Sequence, residues 1–316
     1  MRLLKRSNPL GPSQVRQLSS QEGPPPMTAS ISRQSVNVQR DSAQFRWPGG
    51  QHVAAVANVA YEGWSDGKTP GIGPAGNPLP AGAFDTNARS WGDYGADHGI
   101  RRLRRVLERA RVQASVMVSG ILAERYPRNV RAIVDAGHEI SAHSYAQDVV
   151  PAILSEEDDR ANIDKTTRLL EEVTGQRPSG WISPRFTPGA RTIEGLVSAG
   201  YRWHSDAMDA DLPYEQRHGN GSIVAVPFGM DINDLPHAMR FGRTPRQYVE
   251  MFDDLLQHVT AVDDGALIID VTAHAHNYGR PGCTWAYERV IRLLAQRDDI
   301  WLATRAEIAA HFQATR

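Results

Sequence analysis

One short stretch of the chain passes from an apolar strand to a row of polar side chains: His138-Glu139-Ile140-Ser141-Ala142-His143-Ser144-Tyr145-Ala146-Gln147-Asp148. The strand-like run ends at Ala142, and a histidine, an amide and a carboxylate follow it. Polar groups directly after the carboxyl end of a strand are typical of active sites in α/β folds. His143 is therefore the first candidate for chemistry, and its partners are to be sought at other strand ends.

Composition narrows the class of protein. The 316 residues are 41% hydrophobic and 22% charged, which suits one large α/β domain or two small ones. A net charge of −1 gives no electrostatic reason to expect a nucleic-acid partner. No apolar run reaches transmembrane length, and the basic start has no apolar core of a secretory signal behind it. The lone cysteine, Cys283, excludes an internal disulfide. We therefore expect a cytoplasmic protein without a membrane or nucleic-acid partner.

The chain divides into an arm and one domain. Residues 1–40 are rich in Ser, Gln, Arg and Pro without periodicity, which predicts a disordered or extended N-terminal arm. Residues 41–316 alternate strand and helix patterns seven or eight times, as in a (β/α) barrel rather than a doubly wound sheet. No glycine-rich phosphate loop follows the first strand. Gly63 to Gly95 is predicted as a long loop that serves as a lid or a sugar-stacking platform.

Chemistry-bearing side chains collect at the predicted strand ends: Tyr61, Glu62, His143, Gln147, Arg185, Asp206, Asp209 and His274. In a barrel these ends share one mouth. The set has imidazoles, carboxylates and a guanidinium, but no nucleophile motif. It is typical of a site in which a base or a metal activates water and an acid protonates a leaving amine.

Several of these segments resemble the motifs of the polysaccharide deacetylase (NodB-homology, carbohydrate esterase) family. They are Ala136–Ser144 for its second motif, Trp181–Gly189 for its third, Ser205-Asp206 for its fourth, and His274 with Gly279-Arg280-Pro281 for its fifth. Tyr61-Glu62, Asn233–Pro236 and Gly279–Pro281 are similar to the branch with allantoinase-like enzymes, cyclic imide hydrolases and a helicobacter-type peptidoglycan deacetylase. The resemblance implies an α/β, single-domain, distorted seven-stranded (β/α) barrel that hydrolyses a C–N bond.

The resemblance also implies a metal, and this chain departs from the family pattern there. In metal-dependent members, two first-motif aspartates act as base and zinc ligand, two histidines complete the metal site, and the fifth-motif histidine is the general acid. Here Tyr61-Glu62 replaces the aspartates, and Gln147 replaces the second histidine. Zinc prefers three strong protein ligands and a water. Two alternatives stay open: a divalent ion held weakly by Glu62 and His143 with help from elsewhere, or a metal-free site. The resemblance to allantoinase-like proteins, which are in part metal-independent, favours the metal-free site.

We assign hypothetical roles on this basis. His274 is the general acid, Glu62 the base or a ligand, and His143 a ligand or the group that polarises the carbonyl. Arg185 orients a carboxylate or binds the substrate carbonyl. The pocket candidates are Asp206, Asp234, Tyr278, Gln147 and Trp181. His276 has no counterpart in the family motif and is interpreted as a specificity residue or an incidental one.

Three functions remain open after the sequence. The first is hydrolysis of an amide, cyclic imide or ureide bond in a small molecule. The second is N-deacetylation of an acetylated amino-sugar polymer, and the third is a catalytically inactive binding homologue. Relatives in this branch form homo-oligomers that build the pocket across subunits, so the resemblance implies a dimer or tetramer.

Overall fold

The protein is represented by a computed structural model that describes residues 36–38, 40–71, 73–74, 79–80, 82–219, 221–262 and 265–315. Most of the predicted arm, residues 1–40, lies outside the described residues. Within it, Val36–Val38 forms an edge strand that pairs with a later strand of the domain. In this part of the chain, no helix combines the length and apolarity needed to cross a membrane.

A single, mainly parallel sheet forms the centre of the domain. Its strands are β1 (Val36–Val38), β2 (Val53–Tyr61), β3 (Ser115–Val118), β4 (Glu139–Ala142), β5 (Gly180–Trp181), β6 (Trp203–His204), β7 (Tyr214–His218), β8 (Gly221–Ala225), β9 (Ile232–Asn233), β10 (Leu267–His274) and β11 (Ile300–Leu302). The spatial order is β1-β7-β8-β6-β5-β4-β3-β2-β10-β9, and β11 pairs with the first half of β2. Among the strand pairs of the described residues, only those of β7 with β1 and β8 are antiparallel. The predicted α/β class is confirmed, and the sheet is consistent with a distorted barrel of the NodB type.

Ten α-helices of the described chain surround the sheet: α1 (Thr86–Tyr94), α2 (Ile100–Ala110), α3 (Gly120–Arg125), α4 (Pro127–Asp135), α5 (Glu156–Thr174), α6 (Thr192–Ser198), α7 (Asp234–Met239), α8 (Pro245–Val262), α9 (Thr284–Leu294) and α10 (Arg305–Ala314). The prediction of one loop from Gly63 to Gly95 was wrong for Thr86–Tyr94, which forms α1. Asp85 accepts hydrogen bonds from the backbone of Asn87 and Ala88, and this cap begins α1.

The central strand β2 is buried along its whole length and serves two cores. Its odd-numbered residues pack into the cluster shared with the surrounding helices, whereas Ala54, Val56 and Ala60 pack into a second cluster with Trp203 and Phe312. Alternation along a strand explains this division. It also places Tyr61 toward the helices and Glu62 on the opposite side.

A buried ion pair lies on the same side of β2 as Glu62. Arg305, at the start of α10, is fully buried and pairs with Asp270 of β10. Its guanidinium also donates to Asn58 Oδ1 at 3.2 Å and to Ser205 Oγ at 2.8 Å. Asn58 and Asp270 each lie four residues before a candidate catalytic group, Glu62 and His274. This network therefore joins the strands that carry the site.

Candidate active site

Three imidazoles surround the carboxylate of Glu62 at the carboxyl ends of β2, β4 and β10. Glu62 Oε1 lies 3.5 Å from His143 Nε2 and 3.9 Å from His274 Nε2. Glu62 Oε2 lies 3.6 Å from His276 Nδ1. All four side chains are at most 10% exposed. The structure thus brings the predicted Glu62, His143 and His274 together and adds His276.

His274 forms a dyad with Asp234. Its Nδ1 lies 2.6 Å from Asp234 Oδ1, and the fully buried Asp234 also accepts from the backbone N–H groups of His274 and Tyr278. The carboxylate fixes a proton on Nδ1 and directs Nε2 toward Glu62. Asn233 caps α7 through the backbone N–H of Leu235, which holds Asp234 in the first turn of that helix.

His143 is oriented by a backbone carbonyl. Its Nδ1 lies 2.6 Å from the carbonyl oxygen of Ile182, so Nδ1 carries the proton and donates it. Nε2 then faces Glu62. The next residue, Ser144, has a φ of 54°, a conformation that a non-glycine residue rarely adopts. Such local strain is common at functional sites.

Electrostatics set the protonation states. Burial alone would raise the pKa of Glu62, but the positive charge of His274, with smaller contributions from His143 and His276, holds it at about 2. Burial would lower the pKa of His274, but the negative charges of Asp234 and Glu62 raise it above its usual value. Burial lowers the pKa of His276 to about 4. At neutral pH the site therefore holds an ionised carboxylate beside a readily protonated and a neutral imidazole.

The other predicted pocket residues lie around this centre in different roles. Asp206 accepts from Ser183 N at 2.7 Å and from Ser183 Oγ at 2.6 Å, and burial raises its pKa to about 6. Trp181 is fully buried and donates from Nε1 to Ser183 Oγ, so it helps to position the residue that donates to Asp206. Gln147 donates to Ser119 Oγ at 3.0 Å.

Arg185 and Tyr278 differ sharply in exposure to solvent. Arg185 is exposed with a φ of 59°, and among the described residues its guanidinium forms no hydrogen bond or ion pair. Tyr278 is 1% exposed, and its ring packs edge-on against Tyr248 at 4.9 Å. Asp209, another strand-end residue, accepts from the Tyr214 hydroxyl at 2.9 Å. The structure thus gives Asp209 a structural contact.

Two residues gain a role that the sequence did not assign. Tyr61 points away from the site, and its hydroxyl donates to the carbonyl of Ala96 at 2.6 Å. His276 faces the site because the turn after β10 returns it toward Glu62. The alternation of side chains along β2 could have predicted that Tyr61 faces away from the site. The position of His276 depends on a turn whose path cannot be predicted from residue spacing.

The residues present do not complete the zinc site of the family. Glu62 and His143 supply two suitable donors, but the amide nitrogen of Gln147 is directed to Ser119. Across the described parts of the chain, no group of three His, Cys, Asp or Glu side chains is arranged to hold a metal ion. An amide is a poor substitute for an imidazole ligand. We therefore derive no catalytic step through a metal.

Comparison with known proteins supports the family resemblance. Residues 91–204 match the family model described as "Polysaccharide deacetylase". The chain is 24% identical to a peptidoglycan deacetylase from Helicobacter pylori over 255 residues, which cover 71% of this chain and 86% of that protein.

Two crystal structures have a similar fold. One, called a "probable Polysaccharide deacetylase" from Pseudomonas aeruginosa PAO1, is 27% identical with a TM-score of 0.76 over 88% of this chain and 98% of its own. The Puue allantoinase is 25% identical with a TM-score of 0.78 over 89% and 99%.

The fold, the strand-end site and the matched family model agree. The chain is a hydrolase of the class that acts on carbon–nitrogen bonds other than peptide bonds. Its residues 91–204 match the polysaccharide deacetylase family, and the chain is similar along most of its length to proteins described as members of that family.

Proposed function

We propose that this protein removes the acyl group from an N-acylated amino sugar by direct attack of water on the amide carbonyl. The observation that carries the proposal is the Glu62 carboxylate surrounded by imidazoles, next to the Asp234–His274 dyad. A base and an acid within reach of one reacting group are what amide hydrolysis requires.

The first step forms the new C–O bond. Glu62 accepts one proton from water while the water oxygen attacks the amide carbon, and the carbonyl electron pair moves to its oxygen. His143 Nε2 lies 3.5 Å from Glu62 Oε1, close enough to act on the same reacting group. The result is a tetrahedral intermediate and a protonated Glu62.

The second step breaks the C–N bond. His274 Nε2 donates a proton to the leaving nitrogen as the carbonyl re-forms, which releases the amine and the carboxylic acid. Glu62 Oε1 and His274 Nε2 are 3.9 Å apart, so the proton on Glu62 has a short route back to His274. Asp234 stabilises the protonated imidazole before transfer.

The two leading functions differ in their support. The sequence favoured a small-molecule amide, imide or ureide, but the family model and the Helicobacter relative fit the deacetylase alternative better. A cyclic ureide is the second candidate. The site is nearly closed, with Glu62 at 10% side-chain exposure, and the allantoinase structure covers 89% of the chain. A closed site suits a small ring better than a polymer.

A substrate panel with purified protein separates these candidates. We expect acetate release from N-acetylated chitooligosaccharides or peptidoglycan fragments, with loss of activity in Glu62→Gln. Hydrolysis of allantoin or cyclic imides, without acetate release, would assign the second function. No turnover of either class would leave the inactive binding homologue as the explanation.

We also propose that turnover needs no added metal, because the chain lacks the family's third strong ligand. The measurement is the rate before and after exhaustive chelation, with metal content determined on the same sample. Loss of activity on chelation and recovery with zinc would show that the metal alternative applies.

We further propose that the protein is a cytoplasmic homo-oligomer. Light scattering tests the oligomeric state, and cell fractionation tests the location.

A further inference from the structure

His276 is held by a close contact between two backbone segments. The chain changes from α1 to α2 through a π-helical turn at Gly95–Gly99. A Cβ atom at Gly95 would lie 2.7 Å from the backbone nitrogen of His276, and one at Gly99 would overlap the carbonyl oxygen of Ala275. The two glycines, four residues apart on one face of the turn, let the segment after β10 lie directly on it.

The imidazole itself is fixed by two tryptophans. The ring of Trp91 meets it edge-on with a centroid separation of 4.6 Å, and Trp64 does so at 5.4 Å. Arg280 donates from Nε to the backbone carbonyl of His276 and from its terminal nitrogen to that of Trp91. The His276 residue is 1% exposed. The ring is therefore held with one edge toward Glu62.

That edge presents a polar atom without a protein partner. His276 Nδ1 is buried and makes no hydrogen bond in the described structure. Glu62 Oε2 is the nearby carboxylate atom, at 3.6 Å, which exceeds hydrogen-bond length. Because a carboxylate faces it, Nδ1 is the nitrogen that carries a proton. A donor and an acceptor at this separation can both hydrogen-bond one water molecule that lies beside them.

We propose that His276 is a catalytic residue that holds the attacking water together with Glu62. This inference rests on the proposed function. The water accepts from His276 Nδ1–H and donates one proton to Glu62 Oε2, which leaves a lone pair directed at the amide carbon. As the proton passes to Glu62, the oxygen gains negative charge and stays bonded to Nδ1–H. A donor aimed at charge that develops in the transition state lowers the barrier to reaction.

Two amide substitutions distinguish this role from packing. The nitrogen of an Asn side chain can take the place of Nδ1, whereas the longer Gln side chain places its amide near Nε2. We expect His276→Gln to lose about 10²–10³ in kcat, as for loss of one transition-state donor, with KM little changed. We expect His276→Asn to keep kcat within about tenfold of wild type. Exposed His98 gives the matched control, His98→Gln, which should keep full activity.

Thermal unfolding of each variant accompanies the kinetics, so that only folded samples are compared. Equal losses in the Asn and Gln variants, or full activity in both, would overturn the assignment.

A second measurement does not depend on turnover. In protein labelled with ¹⁵N-histidine, we expect the Nδ1–H tautomer of His276 and magnetisation transfer from that proton to a bound water. An Nε2–H tautomer, or no bound water at Nδ1, would overturn the inference even if the protein hydrolyses amides. Absence of activity combined with the expected tautomer and water would instead place the failure in the proposed function.

Discussion

Glu62 is central to the site because its two oxygens face different partners. Oε1 faces His143 and His274, and Oε2 faces His276. One carboxylate can therefore take a proton on the side of the water and return it on the side of the acid. The position of Glu62 at the end of a buried strand could be predicted from sequence, as could those of His143 and His274.

Other single residues could not be located in this way. Strand spacing predicts which residue follows a strand end but not the path of the turn after it. For this reason no catalytic role was predicted for His276 from the sequence. The exposure of Arg185 and its positive φ were not predicted either. Tyr61 was grouped with the site although alternation along β2 directs it to Ala96.

The general-acid role proposed for His274 leads to a kinetic prediction. Substitution His274→Ala removes the proton donor to the leaving nitrogen, and we expect kcat to fall about 10²–10⁴-fold. The matched control is His311→Ala, remote from the site on α10, whose Nε2 contacts the Arg46 carbonyl instead. Acetate release measured under saturating substrate checks this. Turnover within about threefold of wild type would refute the assigned role.

The Asp234–His274 dyad leads to a pH prediction. The acid must be protonated, and its pKa in the folded protein is raised, so activity persists at lower pH and is lost as pH rises through that pKa. Asp234→Asn removes the largest contribution that raises this pKa. We expect the alkaline limb of the kcat profile to move about 1–2 pH units lower. The Glu62 limb, near pH 2, should not move, and an unchanged alkaline limb would show that another group is the acid.

The site depends on two loops, the segment between β2 and α2 and the segment after β10. Neither has a clear periodic pattern in the sequence. The segment between β2 and α2 was predicted as a loop, yet it forms α1 and a π-helical turn. The carbonyl of Ala96 in this turn accepts from Tyr61 and Asn129. π-helical turns recur at functional sites, but an isolated irregular turn leaves no periodic signal in a sequence.

The contact between this turn and the segment after β10 can be tested with one methyl group. Gly99→Ala places a Cβ atom against the backbone of Ala275, where no flexible side chain can yield. We expect a loss of about 1–3 kcal/mol in the free energy of unfolding and reduced kcat. Gly282→Ala, where a Cβ meets nothing within 4 Å, is the control and should leave both unchanged. Equal behaviour of the two variants would contradict the proposed packing.

At the scale of the whole molecule, a polar network inside the sheet joins the strands that carry the site. Arg305 links Asp270 of β10, Asn58 of β2 and Ser205 next to Asp206. The alternation of strands and helices allowed the fold class to be predicted. The network could not be predicted, because its members are separated by up to 247 residues and share no local pattern.

Loss of one member of the buried pair should destabilise the fold strongly. Arg305→Leu leaves Asp270 buried without its cation, and we expect a loss of about 3–5 kcal/mol in urea unfolding. The double variant with Asp270→Leu should lose less, since no unpaired charge remains. Arg297→Leu, which breaks an exposed pair with Asp299, should cost at most about 1 kcal/mol. A similar small cost at Arg305 would mean that the pair does not organise the core.

In the proposed mechanism, Glu62 activates water for hydrolysis of an N-acyl bond. The most direct test is the initial rate of acetate release from an N-acetylated chitooligosaccharide by wild type and Glu62→Gln, at equal concentration and confirmed folding. We expect turnover by wild type and a loss of at least about 10²-fold in Glu62→Gln. Equal rates in the two proteins, or no acetate from wild type, would contradict it.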